Sequence, residues 1–338
     1  MKRLAAKGAG LAERRPAVVP PPQPSALRRE SPERGLRRSN LEFPGCYAQP
    51  MTRAQYEAHE GRGEFFDSGA GIAWMVREPT HPPHEEPRYR LVELVVRIAQ
   101  LRGSPIRCLG ETEIRWTDPA SGKLASVHPD QMLFLHHDRT EGKVSRYLEV
   151  GVDPYPDVVL EVDSTTDVRR NRLELYEEWG FPELWVGVPD AYAPSRPAGL
   201  HSGLRIYLLE AGRYGLSEAS RAFPGWRAAE VHRGLNEPVL SEETSAALSR
   251  VGRALGEREG TGPEDDPLLR EQRAETIFRM VRALLRQRGI AAPADFAAGL
   301  GRRHLDTLKS VSEVEALAAA STANTFADFL ARLDDPGS

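Results

Sequence analysis

The stretch YPDVVLEVDSTTDVRRNRLELYEEWGFPELWV, Tyr155 to Val186, constrains the fold more than any other part of the chain. An apolar run of strand length, a charged segment of helical period and a second apolar run follow one another directly. Strand, helix and strand in that order call for a sheet with a helix packed on it. The first run also carries acids. Asp157, Glu161 and Asp163 sit at i, i+4 and i+6, so on a strand they share one face and Val158, Leu160 and Val162 take the other. The spacing fits two arrangements. In one, the acidic face is simply solvated. In the other it is buried, and neighbouring buried carboxylates raise each other's pKa until a cation compensates them. Hard oxygen ligands suit Mg2+, Mn2+ or Ca2+.

A second acid bears on that choice. In SVHPDQMLFLHH, Asp130 leads the apolar residues Met132, Leu133, Phe134 and Leu135. Pro-Asp alone is a turn signal. Beside Glu161 on a neighbouring strand, Asp130 can bring oxygens from two strands onto one metal. The charged segment adds a cation. Val168, Arg172, Leu175, Tyr176 and Trp179 follow i, i+4, i+7, i+8 and i+11, so Arg172 lies on the face that packs toward the sheet. An arginine there needs an anion, either Glu161 or Asp163 as a structural partner or a phosphate. Arg169 and Arg170 read equally as a solvated face or as phosphate contacts. Tyr176, Trp179 and Trp185 read as core rather than as platforms for stacked bases.

The rest of the chain divides into three parts. Residues 1–45, rich in Pro, Arg and Ser and without a period, read as a disordered basic arm. Residues 46–220 carry the motifs. Residues 221–338 read as a helical C-terminal extension, with Ile277, Val281, Leu284 and Leu285 on one helical face. Within the middle part the order of elements, α-β-β-α-β-β-β-α-β-β, predicts one mixed sheet with few helices. Thr52 and Gln55 predict a capping box, residues 67–71 a hairpin turn, and Gly103 the end of a long helix buried through Leu91, Val92, Val95, Ile98 and Ala99.

A formal net charge of −4 excludes a sequence-independent nucleic-acid coat but leaves room for a local basic groove. Cys46 and Cys108 match no zinc or redox spacing, no stretch has transmembrane length, and the N-terminus has no apolar signal region. These features predict a cytoplasmic protein with no membrane partner.

The central stretch resembles the signature of the Uma2 family of restriction-endonuclease-like proteins, in the PD-(D/E)XK nuclease superfamily. That pattern runs Pro-Asp, an apolar run, Glu-Val-x-Ser, a charged helix ending Leu-x-Leu-Tyr, then Gly-x-Pro-Glu-x-Trp. The stretches MTRAQYEAHEGRGEFFDSGAGIAWMV, HPPHEEPRYRLVELVVRIAQL and VHPDQMLFL are similar to the family's opening hairpin, its His-led helix and its first Pro-Asp strand. The resemblance covers about residues 50 to 215. It implies a restriction-endonuclease-like α/β fold with a mixed sheet, and a Mg2+- or Mn2+-dependent endonuclease acting on DNA. Its site would draw on Glu64, Asp130, Glu161 and Arg172, with Asp130 and Glu161 holding the metal and Arg172 neutralising charge on the scissile phosphate. His84, Asp157 and Asp163 would support it. The wider superfamily places a lysine where Asp163 stands. This family instead places one on the following helix, where the chain has Arg172. An arginine stays protonated and cannot act as general base, so a degenerate nuclease fold that binds nucleic acid or a protein partner without cutting is the alternative. A homodimer is expected by analogy with nucleases that cut two strands.

Overall fold

The computed structural model describes residue 43 and residues 46–59, 63–76, 82–136, 146–163, 168, 172–191, 196, 199–297, 308 and 311–334. The chain divides into two units, residues 1–40 and 41–338, and every described residue belongs to the second. The expected arm therefore lies outside the described residues, except for Phe43, which is buried against Phe65 and Trp74.

One mixed sheet was expected, and the described residues form two. The first has the order β1 (Cys46–Pro50), β3 (Ile72–Val76), β2 (Gly63–Asp67), β6 (Leu124–Val127), β5 (Glu113–Thr117), β8 (Tyr147–Glu149). The second runs β12 (Arg213–Ser217), β11 (Gly203–Glu210), β10 (Glu183–Val188), β9 (Val158–Val162), β7 (Gln131–Phe134), β4 (Arg107–Leu109). Each is mixed: β5 and β8 are parallel in the first, β9 and β10 in the second, and the other pairs are antiparallel. The division has a local cause. Pro129 interrupts the apolar run between β6 and β7, and a proline cannot donate to a ladder. The chain leaves one sheet there and enters the other at Asp130.

Helix α1 (Arg53–Glu57) opens on the predicted Thr52–Gln55 capping box, and Asp67 closes the predicted turn by accepting the Gly69 N–H at 2.7 Å. Helix α2 (Pro82–Arg102) buries Leu91, Leu94, Val95 and Ile98 at helical spacing. Together with α4 (Ala228–Asn236) and α5 (Glu242–Glu259) it covers one face of the second sheet. Val158, Leu160 and Val162 of β9 share a core there with Trp185, Ile206, Trp226, Val231, Leu248 and Val251. Residues 221–259, read from sequence as part of the extension, therefore complete the sheet's own core. The remaining helices, α6 (Pro267–Gln287), α7 (Ala294–Ala297), α8 (Glu313–Thr322) and α9 (Phe326–Asp334), build a separate cluster around Ile277, Val281, Leu285, Phe296 and Phe329. Among the described residues no helix is long and apolar enough to cross a membrane.

Helix α3 (Leu173–Trp179) lies on the opposite face of β9. The motif that follows it, Phe181 to Trp185, owes its glutamate to packing. Buried Glu183 accepts the Trp185 indole N–H at 2.6 Å and the backbone N–H groups of Arg221 and Ala222 at 3.0 and 2.9 Å. That carboxylate pins the loop beside the start of β10 and holds Trp185 in the core.

The end of α2 is tightly built. Buried Arg102 donates to both carboxylate oxygens of Glu259 at 2.7 and 2.5 Å. Gly103 takes φ +81°, and a Cβ there would stand 1.9 Å from the Gly262 carbonyl oxygen. Gly103→Ala should therefore combine left-handed strain with a backbone clash and cost about 3 kcal/mol in urea-denaturation stability. An unchanged midpoint would show that this junction yields freely.

Candidate active site

Alternation along β9 turns Val158, Leu160 and Val162 toward α2 and sends Glu161 toward α3. Glu161 is 0% exposed, so its face is covered and not solvated. The other expected acids arrive from separate elements. Asp130 stands at the crossing between the sheets, buried, and its Oδ2 accepts the Val162 N–H at 2.7 Å. That bond ties the crossing to the residue next to Glu161. Glu64 sits in β2 where the pairing with β3 shifts between Gly63 and Phe65. An extra residue in a strand re-aims its side chain, and the Glu64 carboxylate reaches Arg172.

Arg172 occupies the centre. Its Nη1 lies 3.0 Å from Glu161 Oε1 and 2.9 Å from Oε2, and its Nη2 lies 2.8 Å from Glu64 Oε1. One guanidinium thus joins a glutamate of each sheet. Its backbone is placed through Val168. Both Asp163 oxygens accept the Val168 N–H, at 3.1 and 3.0 Å, and Val168 O accepts the Arg172 N–H at 3.0 Å. Asp163 therefore anchors Val168. Asp157 has a similar office, since its Oδ2 accepts the Leu135 N–H at 2.7 Å and joins the end of β7 to the start of β9. The three acids that share even spacing in the sequence thus diverge in use: Glu161 meets Arg172, while Asp157 and Asp163 accept backbone N–H groups.

Tyr176, one turn beyond Arg172, donates its hydroxyl to Glu161 Oε1 at 2.5 Å, with the ring fully buried. Sequence reasoning gave this ring to the core and missed the hydroxyl. The available signal was its place four residues after an inward arginine. Tyr176→Phe should lose about 1–3 kcal/mol, because a buried carboxylate oxygen loses a donor. Denaturant unfolding of the two proteins checks this, and equal stabilities would show that the bond contributes nothing.

Burial pushes the Glu161 carboxyl well above the ordinary carboxylate range. Arg172 and the Tyr176 hydroxyl pull it back, while Asp130 and Glu64 push it further up. Burial also pushes the Tyr176 phenol well up, with Glu161 adding to it, so the phenol stays a donor. Arg172 is held still more firmly in its charged form: burial alone would lower its pKa, and Glu161 and Glu64 outweigh that. Three acidic side chains, Glu161, Glu64 and Asp130, act on a single guanidinium, so acids outnumber the cation.

Glu161 Oε2 and Arg172 Nε are among the buried atoms that have no hydrogen-bond partner among the described residues. Oε2 is within ion-pair distance of Nη1 but lacks an aligned donor. An orphaned carboxylate oxygen beside two further acids has the donor chemistry and charge that a hard divalent cation fits. As they stand, no three acidic, His or Cys side chains among the described residues form a ready cage. His84 falls on the first turn of α2 and its side chain lies outside the described residues, as do Arg169 and Arg170.

The family model Uma2, described as "Putative restriction endonuclease", matches residues 53–239. A search among curated proteins found no match. The matched span contains Glu64, Asp130, Glu161, Arg172 and Tyr176, and it ends just past α4.

Proposed function

The chain belongs to the Uma2 family, whose model covers more than half of it, and on that footing we propose that it is a Mg2+- or Mn2+-dependent endonuclease that hydrolyses phosphodiester bonds of DNA. The observation that carries this reading is the meeting of Asp130, Glu161 and Glu64 around one buried guanidinium, with Glu161 Oε2 without a hydrogen-bond donor and acids outnumbering the cation. Asp130 and Glu161 are the residues that would hold the ion, with Glu64 beside them. When bound, the ion supplies Lewis acidity toward the phosphate and a more acidic water. The chain's own groups do the rest. Tyr176 fixes the Glu161 carboxylate, and the Val162 N–H fixes that of Asp130. Arg172 offers a permanent positive charge to the phosphate. The proposal includes a cytoplasmic setting and a homodimer, the latter by analogy alone.

The test is cleavage of plasmid DNA with Mg2+ or Mn2+, wild type against Asp130→Ala and Glu161→Ala. Cleavage that survives both substitutions removes the assignment.

One observation favours a second reading. A guanidinium locked between two glutamates stands where the resembling pattern has a lysine, and it cannot accept a proton. On this reading the protein binds nucleic acid or a protein partner without cutting. Cleavage that appears only in Arg172→Lys would select it.

A further inference from the structure

We propose that Arg172 is the resident cation of this site and alternates with the divalent ion on Glu161: ion binding displaces the guanidinium from Glu161, Glu64 keeps hold of it, and its freed N–H groups turn to a phosphate. The inference rests on the reading of Asp130 and Glu161 as cation ligands.

The competition follows from where the guanidinium stands. Nη1 is 3.0 Å from one Glu161 oxygen and 2.9 Å from the other. Tyr176 already takes Oε1. The oxygen left without a donor, Oε2, is therefore the one nearest a positive charge. A divalent ion on Oε2 would face that charge in surroundings where Glu161 is 0% exposed and Arg172 is 3% exposed. Repulsion between like charges is strong where water cannot screen it.

Displacement has a track. Glu64 holds Nη2 at 2.8 Å from the other sheet, independently of Glu161. Arg172 can thus leave Glu161 without losing every partner. Its backbone need not move, because Asp163 ties down Val168 and Val168 receives the Arg172 N–H. Arg172 Nε has no partner among the described residues, so the side chain has a spare donor for an anion. The ion would in turn relieve the repulsion that Asp130 and Glu64 exert on Glu161.

The test is calorimetric titration of the full-length protein with Mn2+ alone, without DNA. Arg172→Gln should bind Mn2+ about ten- to a hundredfold more tightly than the wild type, the range of a typical coupling between two ligands of one site. Arg172→Lys, with a single ammonium that cannot bridge both glutamates, should fall between them. Asp130→Asn should weaken binding in either background. Equal affinities of Arg172→Gln and wild type, weaker binding by the variant, or no binding by either overturns the proposal. If Arg172→Gln does not fold without metal, recovery of its far-UV circular dichroism on adding Mn2+ supports the replacement of one cation by another. A chain that stays unfolded with Mn2+, while Arg172→Lys binds no more tightly than wild type, overturns it. Plasmid cleavage tells failure of the alternation from failure of the nuclease reading: a wild type that cuts with Mn2+ while the affinities are equal keeps the nuclease and loses only the alternation.

Discussion

Asp130→Asn should lower plasmid cleavage by about a thousandfold while leaving the protein folded. Removing a ligand from a cation that stabilises transition-state charge forfeits several kcal/mol, and each 1.4 kcal/mol is about a factor of ten. Asparagine is the sharper choice here. Asp130 Oδ2 accepts the Val162 N–H at 2.7 Å inside the core. Alanine would remove that acceptor together with the charge and leave the amide unpaired. The amide oxygen of asparagine can take the same bond. A loss of cleavage in Asp130→Asn, with unchanged melting, therefore reports on charge and not on the crossing between the sheets. Retained cleavage in this variant would take Asp130 out of the site.

Several parts of the site were readable from residue order, each for a physical reason. Alternation put Glu161 opposite Leu160 and Val162, and the helical period put Arg172 on the buried face of its segment. Both follow from local geometry alone. The position of Asp130 was readable as a Pro-Asp start, but its meaning depended on which strand it joined. Pairing between β7 and β9 is a long-range fact. Glu64 came only from the family resemblance, because a register shift in β2 is not visible in the string GEFFD. The even spacing of Asp157, Glu161 and Asp163 did not make one site. Asp157 and Asp163 accept backbone N–H groups at the two ends of β9. Nothing in a spacing pattern distinguishes a carboxylate that meets a cation from one that caps a loop. The single sheet expected from the element order failed at Pro129 for a related reason. The short strands β4, β6 and β8 carry little periodic signal, and two of them, β6 and β8, belong to the sheet that was not anticipated.

Glu161→Ala should destabilise the protein by about 3–5 kcal/mol, whereas Glu161→Gln should cost about 1–2 kcal/mol. The alanine variant strips one of two acidic partners from a guanidinium that is 3% exposed, orphans the Tyr176 hydroxyl, and opens a cavity in a covered face. The glutamine variant fills the same space, and its amide oxygen can still accept from Arg172 and Tyr176. The two variants also differ from wild type in pH dependence. Burial, aided by Asp130 and Glu64, raises the Glu161 carboxyl in the folded state above its unfolded value. An acid so shifted favours the fold while protonated, and that contribution is lost as pH rises from the unfolded value, about 4.3, through the folded one. Glutamine has no such proton. The stability of wild type relative to Glu161→Gln should therefore fall as pH rises from about 4.3 through the raised value, measured by denaturant unfolding at each pH. A rising difference would mean that the pull of Arg172 outweighs burial at Glu161. Glu161 would then stay ionised beside Arg172 in the folded protein even below its unfolded value.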